Sequence, residues 1–472
     1  MPILAIARHQ LLLMERDTRL RWLCLALLML AVASLVTGAA RQQAQTAERQ
    51  AAAVTDEEIW DALGPVNPHG AAHTGRNLYA PLSPLAAFDP GLSNYLGISV
   101  RAEAHTRNPA RDRPMEGGTS ITRFAGFSPA WALQVVVPLL IILSGFTIFS
   151  GERACERLRQ ELGAGASGPA LMFGRFIGLG TAAIGLLGIF MAAGIVALLS
   201  IGAPADAFLA LLAMGGGYAL YLLVHAGLTV SISALLPSAR SALVVLLGLW
   251  ACTTLLLPRI APAMAERLYP TPSAPAFENA VTDEAKNGIS GHDPYDARLN
   301  AVKADLMQQH GVTRIEDLPF NFEGVALQFG EGNTSETYNR HYEALFATYH
   351  RQNQTQRLFS LISPTLAMIP WSRAMAGTDV AAHRLFLHDA EKYRFALIQA
   401  LNDDIRRNKP KDGGIYRTDV SALAEGVRFT PRLVITADAW RDQAPSLAIL
   451  AVWLAACLAF ARWAATRLER RA

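Results

Sequence analysis

The chain alternates between stretches suited to lipid and stretches suited to water. Apolar runs lie near residues 22–39, 130–149, 174–201, 206–235, 240–258 and 444–463. Each is long enough for a helix to cross a hydrocarbon layer of about 30 Å. Polar sequence fills 40–129, between the first and second runs, and 259–442, between the fifth and sixth. This order predicts an α-helical polytopic membrane protein with six transmembrane helices. The two insertions are expected to build a mostly helical, minor-β periplasmic domain.

The segmentation reads 1–21 as a cytoplasmic amphipathic lead and 22–39 as the first span. Next come the first outer block at 40–129 and the second span at 130–149. Residues 150–171 are a cytoplasmic connector, and 172–258 hold three more spans. The second outer block is 259–442, the last span 443–463, and the tail 464–472.

Charge supplies the orientation. Arg8, Arg16, Arg19 and Arg21 precede the first span. Arg153, Arg157, Arg159 and Arg175 follow the second, Arg240 follows the fourth, and Arg462, Arg467, Arg470 and Arg471 follow the last. Arginine in short connections marks the cytoplasmic side. Both termini are then cytoplasmic, and the polar blocks lie outside, in the periplasm of a Gram-negative cell. The long basic lead before Trp22 argues against a cleaved secretory signal. A net charge of +3, with no basic stripe interleaved with aromatics, gives no reason to expect nucleic acid. The outer blocks contain no cysteine, so ordinary cores must hold them.

Local signals refine this outline. Residues 40–62 are rich in Ala, Gln and Glu, so the first helix is expected to run on past the lipid. Ser128-Pro129 is a helix start, and Pro138 is expected to kink the second span. Gly174, Gly178, Gly180, Gly185 and Gly188 allow close helix approach in the third. Pro237 and Pro258 are expected to end the fourth and fifth. In the second outer block, helices are expected at about 335–358 and 379–408. Short β-prone runs occur at 325–329 and 427–436.

The catalytic inventory is thin. All five lysines lie in the second outer block, so no cytoplasmic segment carries a nucleotide-binding P-loop. There is no Gly-x-Ser-x-Gly turn and no His-Glu-x-x-His. Nine of the eleven histidines fall in the outer blocks. His69 and His73 have the spacing that faces one ligand on a helix. Pro68 and Gly70 argue against a regular helix there, and no Glu follows His69 to act as a base. The expectation is structural hydrogen bonding rather than metal, with His105 a possible third ligand. His383 and His388 flank an apolar run, one of them bonding locally. His225 is an ionisable group at membrane depth, hence a functional candidate. Its bland alternative is a neutral ring bonded to Thr229 or to a tyrosine on a neighbouring helix.

Residues Ser150 to Leu162 form a short charged helix between two spans. Glu152, Glu156, Arg153 and Arg157 sit at helical pairing distance. The segment is either a solvated connector or a docking element for a soluble partner.

Distinctive short motifs run through much of the chain. They include Arg16-Asp17, Asn67-Pro68-His69-Gly70-Ala71-Ala72-His73, Leu82-Ser83-Pro84-Leu85, Asp89-Pro90-Gly91, Glu103-Ala104-His105, Arg123-Phe124, Ser128-Pro129 and Pro138-Leu139-Leu140-Ile141-Ile142. Further on come Tyr338-Asn339-Arg340-His341-Tyr342, Ala376-Gly377-Thr378-Asp379, His383 and Asn402. With the layout, these resemble ABC-2-type ABC transporter permeases, in the subgroup whose large periplasmic region is a domain of unknown function. Where that subgroup carries Gly-Thr before Leu158-Arg159, this chain has Glu156-Arg157.

The resemblance implies a six-span permease subunit of an exporter in the bacterial inner membrane, and no enzyme. Its coupling helix holds Glu152, Arg153, Glu156, Arg157, Leu158 and Arg159. The implied partners are an ABC ATPase subunit, which binds ATP and magnesium, a second permease subunit, membrane lipid and a periplasmic protein. No cofactor is expected in this chain. His69, His73, His105, Asp379 and His383 form outer motifs without an assigned role. The alternative is a membrane-anchored periplasmic binding or assembly module, driven by an ABC ATPase without transport.

Overall fold

The computed structural model describes residues 3–116, 127–289, 291–293, 295–411 and 413–471. Arg123-Phe124 lies outside the described residues.

The chain opens with α1 (Ile3–Arg16). Asp17 then caps α2 (Thr18–Asp61), its Oδ1 accepting from the Arg19 amide at 2.9 Å. Helix α2 is about 66 Å long at 1.5 Å per residue, and its outward half is the spine of the first insertion. Asp56 on it accepts from the Arg76 guanidinium at 2.6 Å and the Asn77 amide at 2.8 Å. The insertion adds β1 (Pro65–Val66), α3 (Pro68–Thr74), β2 (Arg76–Tyr79), β3 (Ser99–Glu103) and β4 (Thr106–Arg107). Strands β2, β3 and β4 form one antiparallel sheet.

The apolar helices follow: α4 (Pro129–Gly145), then α5 (Glu152–Gly163), α6 (Gly168–Ser200), α7 (Ala205–Leu235) and α8 (Ala239–Leu268). The second insertion carries α9 (Ala274–Lys286), α10 (Ala297–Gln309), α11 (Phe322–Phe359), α12 (Pro364–Ala376), α13 (Val380–Asn408), β5 (Thr418–Asp419) and α14 (Val420–Ala424). Helix α15 (Thr436–Arg471) ends the described chain. Among the described residues, five helices (α2, α6, α7, α8 and α15) are long and apolar enough to cross a membrane. The sixth expected span, 130–149, is the shorter α4. The chain is a membrane-embedded helical protein.

The two insertions share one core. Trp60, Ala72, Leu78 and Val100 from the first pack with Tyr342, Phe386, Leu397 and Leu401 from the second. Strand β1 pairs antiparallel with β5, although most of the bundle lies between them in sequence. Arg394 on α13 is the buried tie. It donates to both Glu391 oxygens at 2.8 and 2.9 Å, to Ser335 Oγ at 2.5 Å, to the Glu103 carbonyl at 3.0 Å, and to Glu331. Burial opposes its charge, and Glu391 and Glu331 more than offset that, raising its pKa.

Several expectations are corrected. Residues 325–329 lie inside α11, not in a strand. Residues 427–435 form no strand, because Pro431 lacks an N–H and the Arg432 amide bonds the Asp389 carboxylate at 3.0 Å instead. Residues 68–74 do form a helix. Pro68 sits at its first turn, where no N–H is needed, and Asn67 caps it by accepting from the Gly70 amide. Gly and Pro accumulate over 64–90 and predict turns, yet β2 forms there and pairs with β3. The glycine run 215–217 lies in the middle of α7.

Pro258 does not end α8, and Pro138 does not simply kink α4. Each follows a π-helical turn, Ala251–Leu256 and Ala132–Val136 respectively. The wider turn absorbs the missing N–H but strands carbonyls inside apolar surroundings. Neighbours supply donors. Tyr221 OH donates to the Gln134 carbonyl at 2.7 Å, Trp250 Nε1 to that of Val135 at 3.2 Å, and Ser363 Oγ to that of Thr253 at 2.6 Å.

That last bond marks the main departure from the expected layout. Residues 259–442 do not lie wholly outside the bundle. Helix α12 packs within the apolar cluster, with Met368, Trp371 and Ala367 fully buried beside Met214, Tyr218 and Tyr221 of α7. Thr365 Oγ1 is 3.1 Å from Tyr221 OH, about 24 Å along α7 from its start. The α11–α12 turn is a re-entrant hairpin with an outward apolar tip of Leu358, Leu361 and Ile362. Irregular backbone at such depth is tolerated when protein covers it.

Gly217 makes room for Trp371, since a Cβ there would lie 2.5 Å from the indole. Gly216 next to it faces open space. Gly217→Ala is therefore expected to lower the thermal unfolding midpoint, at an overpacking cost of about 1–3 kcal/mol. Gly216→Ala should leave it unchanged or raise it, because Ala favours helix. Equal responses in differential scanning fluorimetry would contradict the placement of α12.

Candidate functional site

Three regions predicted from sequence find distinct places. The first is α5. Glu152, Arg153, Glu156, Arg157 and Arg159 are exposed, while Ala154 and Leu158 are buried. Leu158 belongs to the bundle core rather than to a docking face. No ion pair within α5 is present among the described residues. Its acid Glu161 instead takes Arg175 of α6 at 2.5 Å, and Arg175 also donates to the Ile148 carbonyl at 3.0 Å. At the other end, the Gly151 amide donates to the Pro237 carbonyl at 2.9 Å, and Ser150 Oγ to that of Leu236 at 2.7 Å. The helix is thus pinned to α6 and to the end of α7, with five charged side chains left facing out.

The same end of the bundle gathers α1 and the C-terminal part of α15. Gly174 and Gly178 of α6 admit α1, since Cβ atoms there would lie 2.7 Å from Ile6 and 2.8 Å from Gln10. The Gly168 amide donates to Glu469 at 2.8 Å.

The second region is His225. It is buried on α7, its Nδ1 donating to the Tyr221 carbonyl at 3.0 Å one turn back. Thr229 returns a hydroxyl bond to the His225 carbonyl at 2.7 Å. The partners lie on its own helix, not on a neighbour. No carboxylate bonds the ring among the described residues.

The third region is a cluster of imidazoles in the lobe. His69 and His73 stand one turn apart on α3, and His105 sits in the two-residue β3–β4 turn. His105 carries φ of 59°, a left-handed conformation rare for a non-glycine residue. Its amide is held by Glu331 Oε2 at 2.9 Å. His292, on the connection between α9 and α10, completes the group. His73 Nε2 lies 3.2 Å and His105 Nε2 3.3 Å from His69 Nε2, and His292 Nε2 lies 3.0 Å from His105 Nε2. The four candidate donor atoms all fall within 4.8 Å of one another.

The outer side of the cluster is polar and ordered. Asn402 Oδ1 on α13 accepts from His69 Nδ1 at 3.2 Å, and Glu331 lies 3.5 Å from His105 Nδ1. Burial, then neighbouring imidazoles, pushes His69 and His105 down to about 4. Both rings are neutral at pH 7 with a lone pair to offer.

Asp379 and His383 do not join this cluster. Asp379 caps α13 by accepting from the Ala382 amide at 2.9 Å. Burial raises the Asp379 carboxyl and lowers His383 to about 4. Along α13, His383 lies about 28 Å and Asp379 about 34 Å from Asn402. There Leu82–Leu85, Asp89–Gly91 and Ala376–Asp379 make the seam between lobe and bundle. The Leu92 amide donates to the Thr378 carbonyl at 2.8 Å, and Ser83 to that of Ala376. His292 and Glu331 escaped sequence reasoning. His292 has no periodic neighbour, and a buried glutamate on a helix looks like any solvated one.

Residues 276–431 match a family described as Domain of unknown function (DUF3526). The matched region carries His292, Glu331, Arg394 and Asn402 together with the re-entrant helix. No curated protein and no solved structure matches the chain.

Proposed function

We propose that this chain is the permease subunit of an ATP-driven ABC-2-type exporter of the bacterial inner membrane, coupled to a separate ATPase through α5. The observation that carries the reading is the pinned, outward-charged helix between α4 and α6. A docking element must present polar groups to its partner and pass force to the bundle. Exposed Glu152, Arg153, Glu156, Arg157 and Arg159 meet the first need. The Arg175–Glu161 pair and the Ser150–Gly151 bonds to the end of α7 meet the second.

Movement of α5 would carry α6 and α7 with it. The π turns of α4 and α8 are where helices can yield, because their hydrogen bonding is already irregular. Both turns bond to α7 or to the re-entrant hairpin, so displacement there reaches the α12 seam and the lobe. A second permease subunit, identical or related, would complete the path. The arginine-rich end faces the cytoplasm in this reading, and the lobe faces the periplasm.

Two tests apply. Purified from its native membrane in mild detergent, the chain is expected to bring down a nucleotide-binding ATPase. Glu152→Ala combined with Arg153→Ala should cut that recovery roughly tenfold, a loss of about 1.4 kcal/mol, while the protein still inserts. Unchanged recovery rejects α5 as the docking element. For topology, Ile415 is 90% exposed on the lobe. In a cysteine-free background, Ile415→Cys should react with a membrane-impermeant maleimide added outside intact spheroplasts, and Arg159→Cys should not. The reverse pattern inverts the orientation.

A further inference from the structure

The geometry of the four histidines carries more than hydrogen bonding. A neutral imidazole has one N–H and one lone pair. His69 commits its N–H to Asn402, because an amide oxygen only accepts, which leaves a lone pair on Nε2. Glu331 stands 3.5 Å from His105 Nδ1, the ring nitrogen that does not face His69, and its carboxylate favours a proton there. With His105 protonated on Nδ1, the two Nε2 atoms face each other at 3.3 Å with no proton between them. Two lone pairs at that distance repel, and a cation between them turns the repulsion into binding. Partners that fix the outer nitrogen of a histidine in this way are the usual second layer of a metal site.

Three of the six separations match the edge of a single ion's shell. Nitrogen ligands at about 2.0–2.1 Å around a tetrahedral zinc stand about 3.3–3.4 Å apart. The three close Nε2 separations are 3.2, 3.3 and 3.0 Å. We propose that His69, His73, His105 and His292 bind one divalent late first-row transition-metal ion, zinc being the best match. An all-imidazole set suits Zn(II), Cu(II), Ni(II) or Co(II). It lacks the thiolate or thioether ligands that select Cu(I). Its carboxylate, Glu331, stands behind a ring, so the oxygen-rich shell of magnesium or calcium is not offered.

Four protein ligands fill a tetrahedral shell and leave no position for a reactive water. The site is therefore a clamp rather than a hydrolytic centre. Three ligands come from the first insertion and His292 from the second, so the ion ties the α9–α10 connection to the β3–β4 turn. The left-handed backbone at His105 is where strain is spent to aim a ring inward. The site does not depend on the permease reading and stands if that reading fails.

The test uses the full-length protein in detergent, without a polyhistidine tag and stripped with a chelator. Titration with Co(II) is expected to give one equivalent per chain, with the intense visible absorption of a tetrahedral site, displaced by one equivalent of Zn(II). His292→Ala, on an exposed connection, and His69→Ala should each weaken Zn(II) binding at least about 100-fold. Asn402→Ala should weaken it roughly tenfold, as outer-layer losses do. His383→Ala should leave it unchanged. Absence of stoichiometric binding, or binding that survives both His69→Ala and His292→Ala, overturns the site.

Discussion

A peptide carbonyl inside hydrocarbon has no water to bond, and the cost of leaving it bare is several kcal/mol. The membrane half of this protein is organised around that constraint. Pro138 and Pro258 each remove an amide donor from an apolar helix. The π turns before them spread the loss over the carbonyls of Gln134, Val135 and Thr253. Tyr221, Trp250 and Ser363 meet those oxygens. Ser363 can do so only because the chain dips back into the bundle between α11 and α12. The re-entrant hairpin and the two irregular helices thus require one another.

From that hairpin a line of polar contacts runs outward. Thr365 meets Tyr221 and Thr254 at 3.1 and 3.3 Å. Ser372, two turns further along the same face of α12, meets Tyr218 at 2.9 Å and bonds the buried Asp89 of the first insertion. Tyr218 also takes the Gln134 side chain at 2.9 Å. Lobe and bundle are therefore joined by satisfied buried polar groups rather than by a flexible neck. In the lobe, Arg394 plays the matching part. Its donors are all used, on two acids, a serine and a backbone carbonyl from both insertions. Glu331, held by Arg394, in turn holds the turn that aims His105.

Much of this was legible in residue order. The apolar runs, the outward continuation of α2, the amphipathic α1, the Ser128 cap and the long helices of the second insertion all rest on periodicity and capping chemistry, which are local. The charged face of α5 is likewise a matter of spacing. What failed were inferences about proline and about environment. Pro258 looked like a stop, because a helix interior rarely tolerates it. Segment 363–376 looked external, because it is short, holds Ser363-Pro364-Thr365 and Pro370, and lies inside the polar block 259–442. Its burial depends on Gly217 clearing space for Trp371 on a helix more than a hundred residues earlier.

Composition and periodicity by themselves determined that the chain enters a membrane, which helices are long, and where charge collects. Those properties follow from free energies of transfer and from a helical repeat that each segment carries alone. Only the tertiary structure decided that the two insertions share one core, that α12 returns into the bundle, and that His69, His73, His105 and His292 meet. These depend on residues far apart in the chain approaching within a few ångströms. No short stretch of sequence encodes such an approach, because it arises from pairing buried polar groups whose partners are chosen by the fold.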